Sequence, residues 1–462
     1  MRVRLGAVGF SLILTLAGGC GDDTRPPGDA GAPDASATTD AGGRDAGRDG
    51  GSDAGGGGAD DSFATAIMTT VNAVTEPMGE IDPAGDHDYY TFEAAAGDWL
   101  LVATTANAMD DNALVDTVIT LYDATMTQVA ENDDRVPRGD TDSEIIYHVP
   151  TTGTYYVMVQ EFSDWHGDTP EAHPGEPYTL TIATLDPTRP AIIEDPETGN
   201  DAASATPIEL GTSGGGIIVG TFASATDVDV FSLSVTTAET RLFQSQVMPA
   251  GTMGYGSTTT VAHAWVTNMA GDIIARVPDS AMLDSLEPPL PMGDHLLWID
   301  HPAGAAGAND FYVLKVFVGM ENPAEAGEAT NGTLAGAETL TYETPMGMTG
   351  IRRAFVLASF PTAADVDYFA IDVMAGEEVG AACGAMTSGS GLTGLRVELR
   401  DASDAIVGTG VNETVADLGA ILPLTAVPSP GTYYLRLSAT GQDATVTGNW
   451  ARCGFRAAVP TP

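Results

Sequence analysis

The chain has 462 residues, about three times the length of a typical domain, so its length predicts several domains rather than one. Its 64 acidic residues outnumber 18 lysines and arginines and give a formal net charge of −46, with Lys315 as the single lysine. A surface of this sign repels phosphate groups, which excludes nucleic-acid binding through a basic groove. Hydrophobic residues make up 43% of the chain, which is too apolar for disorder throughout.

The first twenty residues have the pattern of an export signal. Arg2 and Arg4 precede the apolar stretch Leu5–Leu16, and small residues follow it. The letters LAGGC, which end at Cys20, resemble the lipobox of bacterial lipoproteins, although the leucine lies four residues before the cysteine instead of three. The resemblance implies lipidation of Cys20 and a membrane anchor. The alternative is an ordinary secretion signal that ends near a cysteine.

Residues 21–60 follow as a segment rich in Asp, Gly and Ala, without an aromatic residue, leucine, isoleucine or valine. Such a composition buries too little apolar surface to offset the chain entropy lost on folding, so we predict a disordered tether. Gly21 stands where an aspartate commonly retains bacterial lipoproteins at the inner membrane. We therefore expect an exported, lipid-anchored protein at the outer membrane or the cell surface.

An internal repeat organises the rest of the chain. An Asp-x-Asp pair before alternating apolar residues occurs three times, with first aspartates Asp86, Asp227 and Asp365 spaced 141 and 138 residues apart. A second marker, of Gly-Thr-Tyr-Tyr type with a weaker middle form, repeats at intervals of 140 and 138 residues. It begins at Gly153, Gly293 and Gly431. Two markers that keep one period predict three copies of one unit.

Each copy has the pattern of β-strands. Behind the first Asp pair, Tyr90 and Phe92 fall on one face of a strand and Thr91 on the other. Short β-type runs such as Trp99–Ala103 and Tyr178–Ile182 lie between clusters of Gly, Pro, Asp and Asn. No long helical period competes with them. The sequence therefore predicts an all-β chain of antiparallel sandwiches.

The first copy resembles the bacterial pre-peptidase C-terminal domain. It has the opening DSFATA at Asp61, then GDHDYY, LYD, ENDD and the closing GTYYV at Gly153. The third copy retains the Asp pair, LRD and GTYY, and the second copy retains mainly the Asp pair. The resemblance implies three tandem jelly-roll-like antiparallel β-sandwiches, over residues 61–186, 197–320 and 327–458. In that family the domain usually follows a secreted peptidase, and some copies bind calcium and collagen, so the resemblance implies an accessory or adhesion role.

Three aspartate pairs stand at the entry of the same predicted strand in each copy. Catalytic carboxylate pairs face a substrate cleft, whereas this pair recurs before the same apolar strand each time. We interpret the pairs as structural residues that accept N–H groups of a turn, with metal contact and catalysis as alternatives. The pairs are Asp86 and Asp88, Asp227 and Asp229, and Asp365 and Asp367.

The first copy also holds a dense group of acidic residues. Calcium takes about six to eight oxygen ligands, mostly from carboxylates and loop carbonyls. The spacing is not that of an EF-hand, so the signal is compositional. We place a candidate calcium site at Asp116, Asp133 and Asp134, with a solvated loop as the alternative. The whole group comprises Asp110, Asp111, Asp116, Asn132, Asp133, Asp134, Asp140 and Asp142.

The chain has three cysteines. If Cys20 carries lipid, Cys383 and Cys453 remain as one pair, in the predicted second and last strands of the third copy. An oxidising compartment favours a disulfide between them, with two free thiols as the alternative.

No HExxH motif occurs among the seven histidines, which disfavours a zinc peptidase. We expect a non-enzymatic, lipid-anchored extracytoplasmic protein with a binding, adhesion or accessory role. Its expected partners are the membrane and a polysaccharide, matrix protein or surface protein, and calcium is the one candidate cofactor. The alternatives are the accessory region of a secreted hydrolase, a hydrolase with an unfamiliar site, and a passive surface spacer.

Overall fold

A computed structural model of the chain shows an all-β protein, as predicted. Cys20 and the predicted tether before residue 60 lie outside the described residues. No helix in the described part of the chain is long and apolar enough to span a membrane. The described residues are 60–73, 77–106, 115–134, 142–185, 192–194, 201–212, 214–238, 240–248, 250–251, 254–259, 262–277, 285–301, 307, 309–320, 325, 330–342, 344, 350–410 and 420–459.

The first copy forms two sheets that enclose a core. Its elements are β1 (Ile67–Met68), β2 (Met78–Gly79), β3 (Asp88–Ala94), β4 (Trp99–Thr105), β5 (Thr117–Tyr122), β6 (Gln128–Asn132), β7 (Glu144–His148), β8 (Gly153–Glu161), α1 (Phe162–His166) and β9 (Tyr178–Thr184). One sheet has the order β1-β3-β8-β5-β6 and the other β2-β9-β4-β7. Side chains alternate along β3, so Tyr90 and Phe92 are buried in the core between the sheets.

The second copy repeats this arrangement. Its strands are β10 (Ile192–Glu194), β11 (Thr206–Pro207), β12 (Gly215–Thr221), β13 (Val228–Val235), β14 (Arg241–Met248), β15 (His263–Asn268), β16 (Ile273–Arg276), β17 (Ser285–Leu286), β18 (Pro289–Leu290), β19 (Gly293–Asp300) and β20 (Phe311–Met320). The sheets have the orders β11-β13-β19-β15-β16 and β10-β12-β20-β14-β17, and β18 also pairs with β14. Strand β10 lies in the segment between the first two predicted units and pairs in parallel with β12.

The third copy has the same two-sheet plan. Its strands are β21 (Glu338–Thr339), β22 (Ile351–Ser359), β23 (Val366–Val373), β24 (Glu378–Gly384), β25 (Leu392–Arg400), β26 (Ile406–Thr409), β27 (Ala420–Ala426), β28 (Gly431–Gln442) and β29 (Trp450–Ala458), with single 3-10 turns at Leu334–Gly336 and Met386–Ser388. The sheets have the orders β21-β23-β28-β25-β26 and β22-β29-β24-β27.

The two sequence markers form neighbouring strands in every copy. The strand that follows the Asp pair (β3, β13 or β23) is antiparallel to the strand of the second marker (β8, β19 or β28). The registers correspond, because Tyr90 lies opposite Val157 and Phe231 lies opposite Leu297. The sequence period therefore corresponds to a repeated sheet order.

The first two sandwiches share one hydrophobic cluster. Val219 and Phe311 of the second sandwich belong to the same buried cluster as Trp99 of the first. The Trp99 and Phe311 rings meet edge to face, with centroids 5.4 Å apart. Beside them the single lysine, Lys315, lies with its Nζ 2.6 Å from Oε1 of Glu144, and both side chains are buried. Sheet β12-β20-β14 is therefore buried on both of its faces, in its own core and against the first sandwich.

The contacts between the second and third sandwiches are more polar. The Arg276 N–H donates to the Gly389 carbonyl at 2.9 Å. The Arg452 guanidinium lies 3.6 Å from the carboxylate of Glu287, and both side chains are buried. Backbone bonds and a buried ion pair thus join these two sandwiches.

Candidate functional site

The first aspartate of each pair is bonded within the turn that leads into the sheet. In the first two copies its carboxylate accepts the N–H of the residue four positions earlier, at 3.2 Å for Asp86 and 2.6 Å for Asp227. In the third copy that earlier residue is Pro361, which has no N–H, and Asp365 accepts from the N–H of the next residue at 2.9 Å. The side chain is engaged with the backbone in all three copies.

The second aspartate of the pair meets a tyrosine inside the sandwich. The Tyr178 hydroxyl donates to the Asp88 carboxylate at 2.5 Å, and the Tyr312 hydroxyl donates to Asp229 at 2.8 Å. Asp88 is 3% exposed and Asp229 is fully buried. In the first copy the Tyr90 hydroxyl joins the group, 3.0 Å from that of Tyr178. Each bond connects the two sheets of one sandwich, because the aspartate and the tyrosine lie in different sheets.

A glycine makes room for each of these tyrosines. Gly79 lies opposite Tyr178 on the neighbouring strand, and Gly220 lies opposite Tyr312. A Cβ atom on Gly220 would stand 2.3 Å from the Tyr312 hydroxyl oxygen, which is far inside van der Waals contact. The tyrosine ring can reach the aspartate only because it passes over a residue without a side chain.

The third copy changes both members of this couple together. Ala451 stands at the tyrosine position, and Ala358 stands opposite it at the glycine position. Asp367 is nevertheless fully buried, like Asp229. The tyrosine and the glycine are therefore one steric unit, which the first two sandwiches have and the third lacks.

Burial raises the pKa of both carboxyls in the first pair, so they are weaker acids than usual. Burial, reinforced by the charges of Asp60 and Asp86 and opposed by the bond from Tyr178, raises the pKa of Asp88 to about 7. Burial raises the pKa of Asp86 to about 6, against the backbone hydrogen bond from Asp82. Such carboxyls exchange a proton near neutral pH, which is a property of general acids and bases. The Asp88 carboxyl, however, faces a tyrosine in the interior and has almost no surface through which a substrate could reach it.

Asp116, in the predicted calcium group, has a raised pKa. Burial raises its pKa to about 7, and the charges of Asp134, Glu161 and Asp133 add to the increase. One of its carboxylate oxygens is buried without a hydrogen-bond partner. These four acidic residues thus form a region of concentrated negative charge at one end of β5.

Other members of the predicted calcium group make hydrogen bonds of their own near Asp116. The carbonyls of Asp133 and Asp134 accept from Ser143 and from the Asn132 amide, and Asp142 accepts the Ala106 N–H at 2.7 Å. Within the described ranges, no three His, Cys, Asp or Glu side chains form a group that could hold a metal ion. The residues of the predicted group outside the described ranges are Asp110, Asp111 and Asp140.

The predicted cysteine pair is a disulfide. Cys383 on β24 and Cys453 on β29 lie directly opposite each other and are bonded, in the core of the third sandwich. The corresponding positions of Cys453 in the first and second sandwiches are Leu180 and Leu314, both fully buried. The disulfide therefore replaces core packing with a covalent link between neighbouring strands, and the alternative of two free thiols does not hold.

The outer faces of the three marker sheets carry different chemistry, which no sequence motif indicated. In the first sandwich Phe63 covers this face, where it packs edge to face on tyrosines that include Tyr89 at 4.8 Å. In the third, the buried carboxylate of Glu398 holds several arginines, including Arg400 at 2.6 Å. In the second, two tryptophans stand side by side. The sequence contained one indication of these differences. Every second residue of a marker strand points away from the core, and these residues differ among the three copies.

Comparison with known proteins identifies a family for one part of the chain. Residues 86–161 match the family model described as "Bacterial pre-peptidase C-terminal domain". A comparison with curated proteins finds no match. These matched residues include the first Asp pair, the candidate calcium residues and the second marker strand, so this segment resembles the family in sequence as well as in its β-sandwich fold.

Several solved structures are also similar. The pre-peptidase C-terminal domain of a collagenase from Bacillus anthracis is 16% identical, with a TM-score of 0.19, over 25% of this chain and 93% of that one. The M60 catalytic domain with the CBM51-1 and CBM51-2 domains of ZmpB from Clostridium perfringens is 8% identical, with a TM-score of 0.19, over 81% and 55%. A triple jelly roll from an archaeal virus is 11% identical, with a TM-score of 0.16, over 83% of each chain. Because these TM-scores are low, the likenesses carry no argument about function. The match to the pre-peptidase C-terminal domain family covers residues 86–161 of this chain.

Proposed function

We propose that this protein is a non-enzymatic extracytoplasmic accessory or adhesion protein, in which three sandwiches of pre-peptidase C-terminal type bind a ligand. The observation that carries the proposal is the family match over residues 86–161, because domains of this kind are non-catalytic companions of peptidases. The common sheet order and the Asp pair at the same place support the extension to the second and third sandwiches.

The chemistry of the Asp pairs supports a non-enzymatic role. Their carboxylates are the acidic groups that recur in every copy, and those for which bonds are described accept from turn N–H groups or from an interior tyrosine. A carboxylate used in this way stabilises the entry of a strand. This role explains why the pair recurs in the third copy, where the tyrosine is replaced by alanine.

Ligand binding is tested directly with the full chain carrying Cys20→Ser, in solution. It is incubated with insoluble cellulose and chitin for polysaccharides, with a gelatin resin for matrix protein, and with a resin that carries an extract of cell-surface proteins. Saturable retention of the chain on at least one of these solids is expected, with a resin carrying serum albumin as the control. No retention on any of them would favour a passive spacer, and cleavage of a labelled probe would favour a hydrolase.

Membrane anchoring through Cys20 is a separate part of the proposal. The wild-type chain is expected in the membrane fraction, and Cys20→Ser is expected in the soluble extracytoplasmic fraction, because the acyl chains would be missing. Ser11→Ala is the matched control, since it changes the same apolar segment and leaves the cysteine. Separation of inner and outer membranes by density then tests the outer-membrane location. Membrane retention of Cys20→Ser would contradict the anchor.

We also propose calcium as a ligand of the group Asp116, Asp133 and Asp134. The unpartnered buried oxygen of Asp116 and the negative charge around it favour a cation, although the described residues do not supply three ligands. Calorimetric titration of the full chain with calcium is expected to give heat at millimolar concentration, and Asp116→Asn is expected to remove it. Asp123→Asn, at an exposed aspartate in the same sandwich, is the control. No heat with the unmodified chain would end the calcium proposal.

A further inference from the structure

The outer face of the second sandwich carries a pair of stacked tryptophans. Trp298 on β19 and Trp265 on β15 lie directly opposite each other, with ring centroids 6.0 Å apart and ring planes 8° apart. Their strand neighbours Leu297 and Val266 belong to the core, so both indoles point away from the partner sheet. Both are half-buried, and the stack therefore presents part of its surface to solvent.

The two rings are held in place by their surroundings. Val230 lies opposite Trp298 on the next strand and is fully buried, and Leu296 is buried on the same face. The indole N–H of Trp298 donates to the Thr267 hydroxyl at 2.9 Å. Packing and this bond fix the orientation of the stack before any ligand arrives, which reduces the entropy that binding costs.

The first and second sandwiches differ in the residue that their opening segments place next to this face. In the first, Phe63 of the opening segment packs on Tyr89 and its neighbours. The parallel pairing of β1 and β11 with the adjacent strand shows that Ala202 takes the position of Phe63. Ala202 is exposed and has no ring. The tyrosines under Phe63 correspond to Val230, Thr267 and Leu296, which are buried next to the two tryptophans.

Polar groups border the aromatic stack. His263 and Asp300 lie opposite each other one step along the same two strands, with 2.8 Å between Nδ1 and the carboxylate, and both are partly exposed. Arg276 lies opposite Trp265 on β16 and is half-buried. A ligand on the stack would therefore have the Asp300 carboxylate at one side and the strand that carries Arg276, whose charge also acts on Asp443 of the third sandwich, at the other.

We propose that this surface, the tryptophan platform (Trp265, Trp298, His263, Asp300 and Arg276), binds a neutral polysaccharide of β-linked, gluco-configured pyranose rings. The inference rests on the proposed binding function and names its site and ligand class. Such rings carry their substituents equatorially and expose axial C–H groups, which pack against flat aromatic faces, while their hydroxyls both donate and accept. The net charge of −46 disfavours acidic polymers.

The test uses the full chain with Cys20→Ser and the soluble probes cellohexaose and chitohexaose, titrated by calorimetry and by tryptophan fluorescence. At least one probe is expected to bind, and Trp265→Ala and Trp298→Ala are each expected to weaken its binding by about tenfold or more. Trp165→Ala is the matched control. Trp165 is 40% exposed on α1 of the first sandwich, so its loss should leave the affinity unchanged.

Variants that keep the rings cover the case in which an alanine variant does not fold. Asp300→Asn and Arg276→Ala preserve the stack, and each is expected to lower the affinity several-fold at an unchanged thermal transition. If the folded platform variants bind with the same affinity as the parent, the tryptophan platform is not the binding site. The proposed binding function would not be contradicted by that result. If neither hexasaccharide binds, the platform is also overturned, and the gelatin and surface-protein resins then decide the binding function independently.

Discussion

Asp88 should make the first sandwich less stable as the pH rises towards neutrality. Its carboxyl is 3% exposed, and burial raises its pKa to about 7 from an ordinary value of 3.8. The folded protein therefore holds this proton to a higher pH than the unfolded chain does. A raised pKa of this kind contributes stability that is fully present below about pH 4 and is lost as the pH rises to about 7.

The size of the effect follows from the shift. A pKa raised by about 3 units corresponds to about 4 kcal/mol between the two ends of this range, at about 1.4 kcal/mol per unit. Asp86, with a pKa raised to about 6, acts in the same direction. Asp88→Asn keeps the size of the side chain and an oxygen for the Tyr178 hydroxyl, but it has no proton to lose. We expect the variant to resemble the parent at pH 4 and to be more stable by about 4 kcal/mol at pH 8.

The assay must report on the first sandwich alone, because three sandwiches do not unfold as one two-state unit. Hydrogen exchange of the amides in β3 and β9, read by mass spectrometry between pH 4 and 8, gives the local free energy of opening once the intrinsic exchange rate is divided out. Asp123→Asn is the control, because hydrogen bonds from Thr125 and nearby backbone lower the pKa of this exposed carboxyl. The stability that Asp123 contributes is lost as the pH falls, which is the opposite of the effect expected for Asp88. An Asp88→Asn variant that keeps the pH slope of the parent would refute the reasoning.

Three further substitutions test other parts of the structure. Gly220→Ala should lower the local free energy of opening of the second sandwich, read by hydrogen exchange, by about 2–3 kcal/mol, because its Cβ would stand 2.3 Å from the Tyr312 hydroxyl. Adding Tyr312→Ala to Gly220→Ala should recover part of the lost stability, because the new Cβ then has no ring to collide with. If the effects of the two single substitutions simply add in the double variant, the steric coupling is contradicted. Lys315→Met leaves Glu144 buried without its cation and should cost about 3–5 kcal/mol, whereas the double variant with Glu144→Leu should cost much less. Cys453→Ala should lower the stability of the third sandwich by roughly 4 kcal/mol, and reductant should then change the variant no further.

Short sequence motifs were enough to predict the repeat. They did not identify the residues that bond to these motifs from distant parts of the chain. The Asp pair and the second marker could be found because each is a short motif on one strand, and the sheet places these strands side by side. The tyrosine that bonds to Asp88 lies 90 residues further along the chain, beyond any local pattern. A weak signal was present: glycine occurs seven residues before Asp86 and Asp227, and alanine occurs seven residues before Asp365.

The contact between the first two sandwiches had a clearer signal. Strand β20 begins with the nearly continuous apolar run Phe311–Leu314, and such a run is typical of a strand buried on both faces. Within a single sandwich, the partner sheet buries only one face of a strand. The second face was therefore evidence for a packing partner, and the structure shows that this partner is the sheet that contains Trp99.

The inner and outer residues of the marker strands are under different physical constraints. An inner residue must fill the space between two sheets, so Tyr90, Phe231 and Phe369 are all aromatic and all fully buried. An outer residue is constrained only by what lies over it, and this differs among the copies: an aromatic lid in the first, stacked tryptophans in the second, an ion-paired carboxylate in the third. Repetition of the inner residues therefore reports on folding, and divergence of the outer residues shows where the copies can differ in what they bind. A search for ligands of a repeated sandwich should begin at the outer positions that its copies do not share.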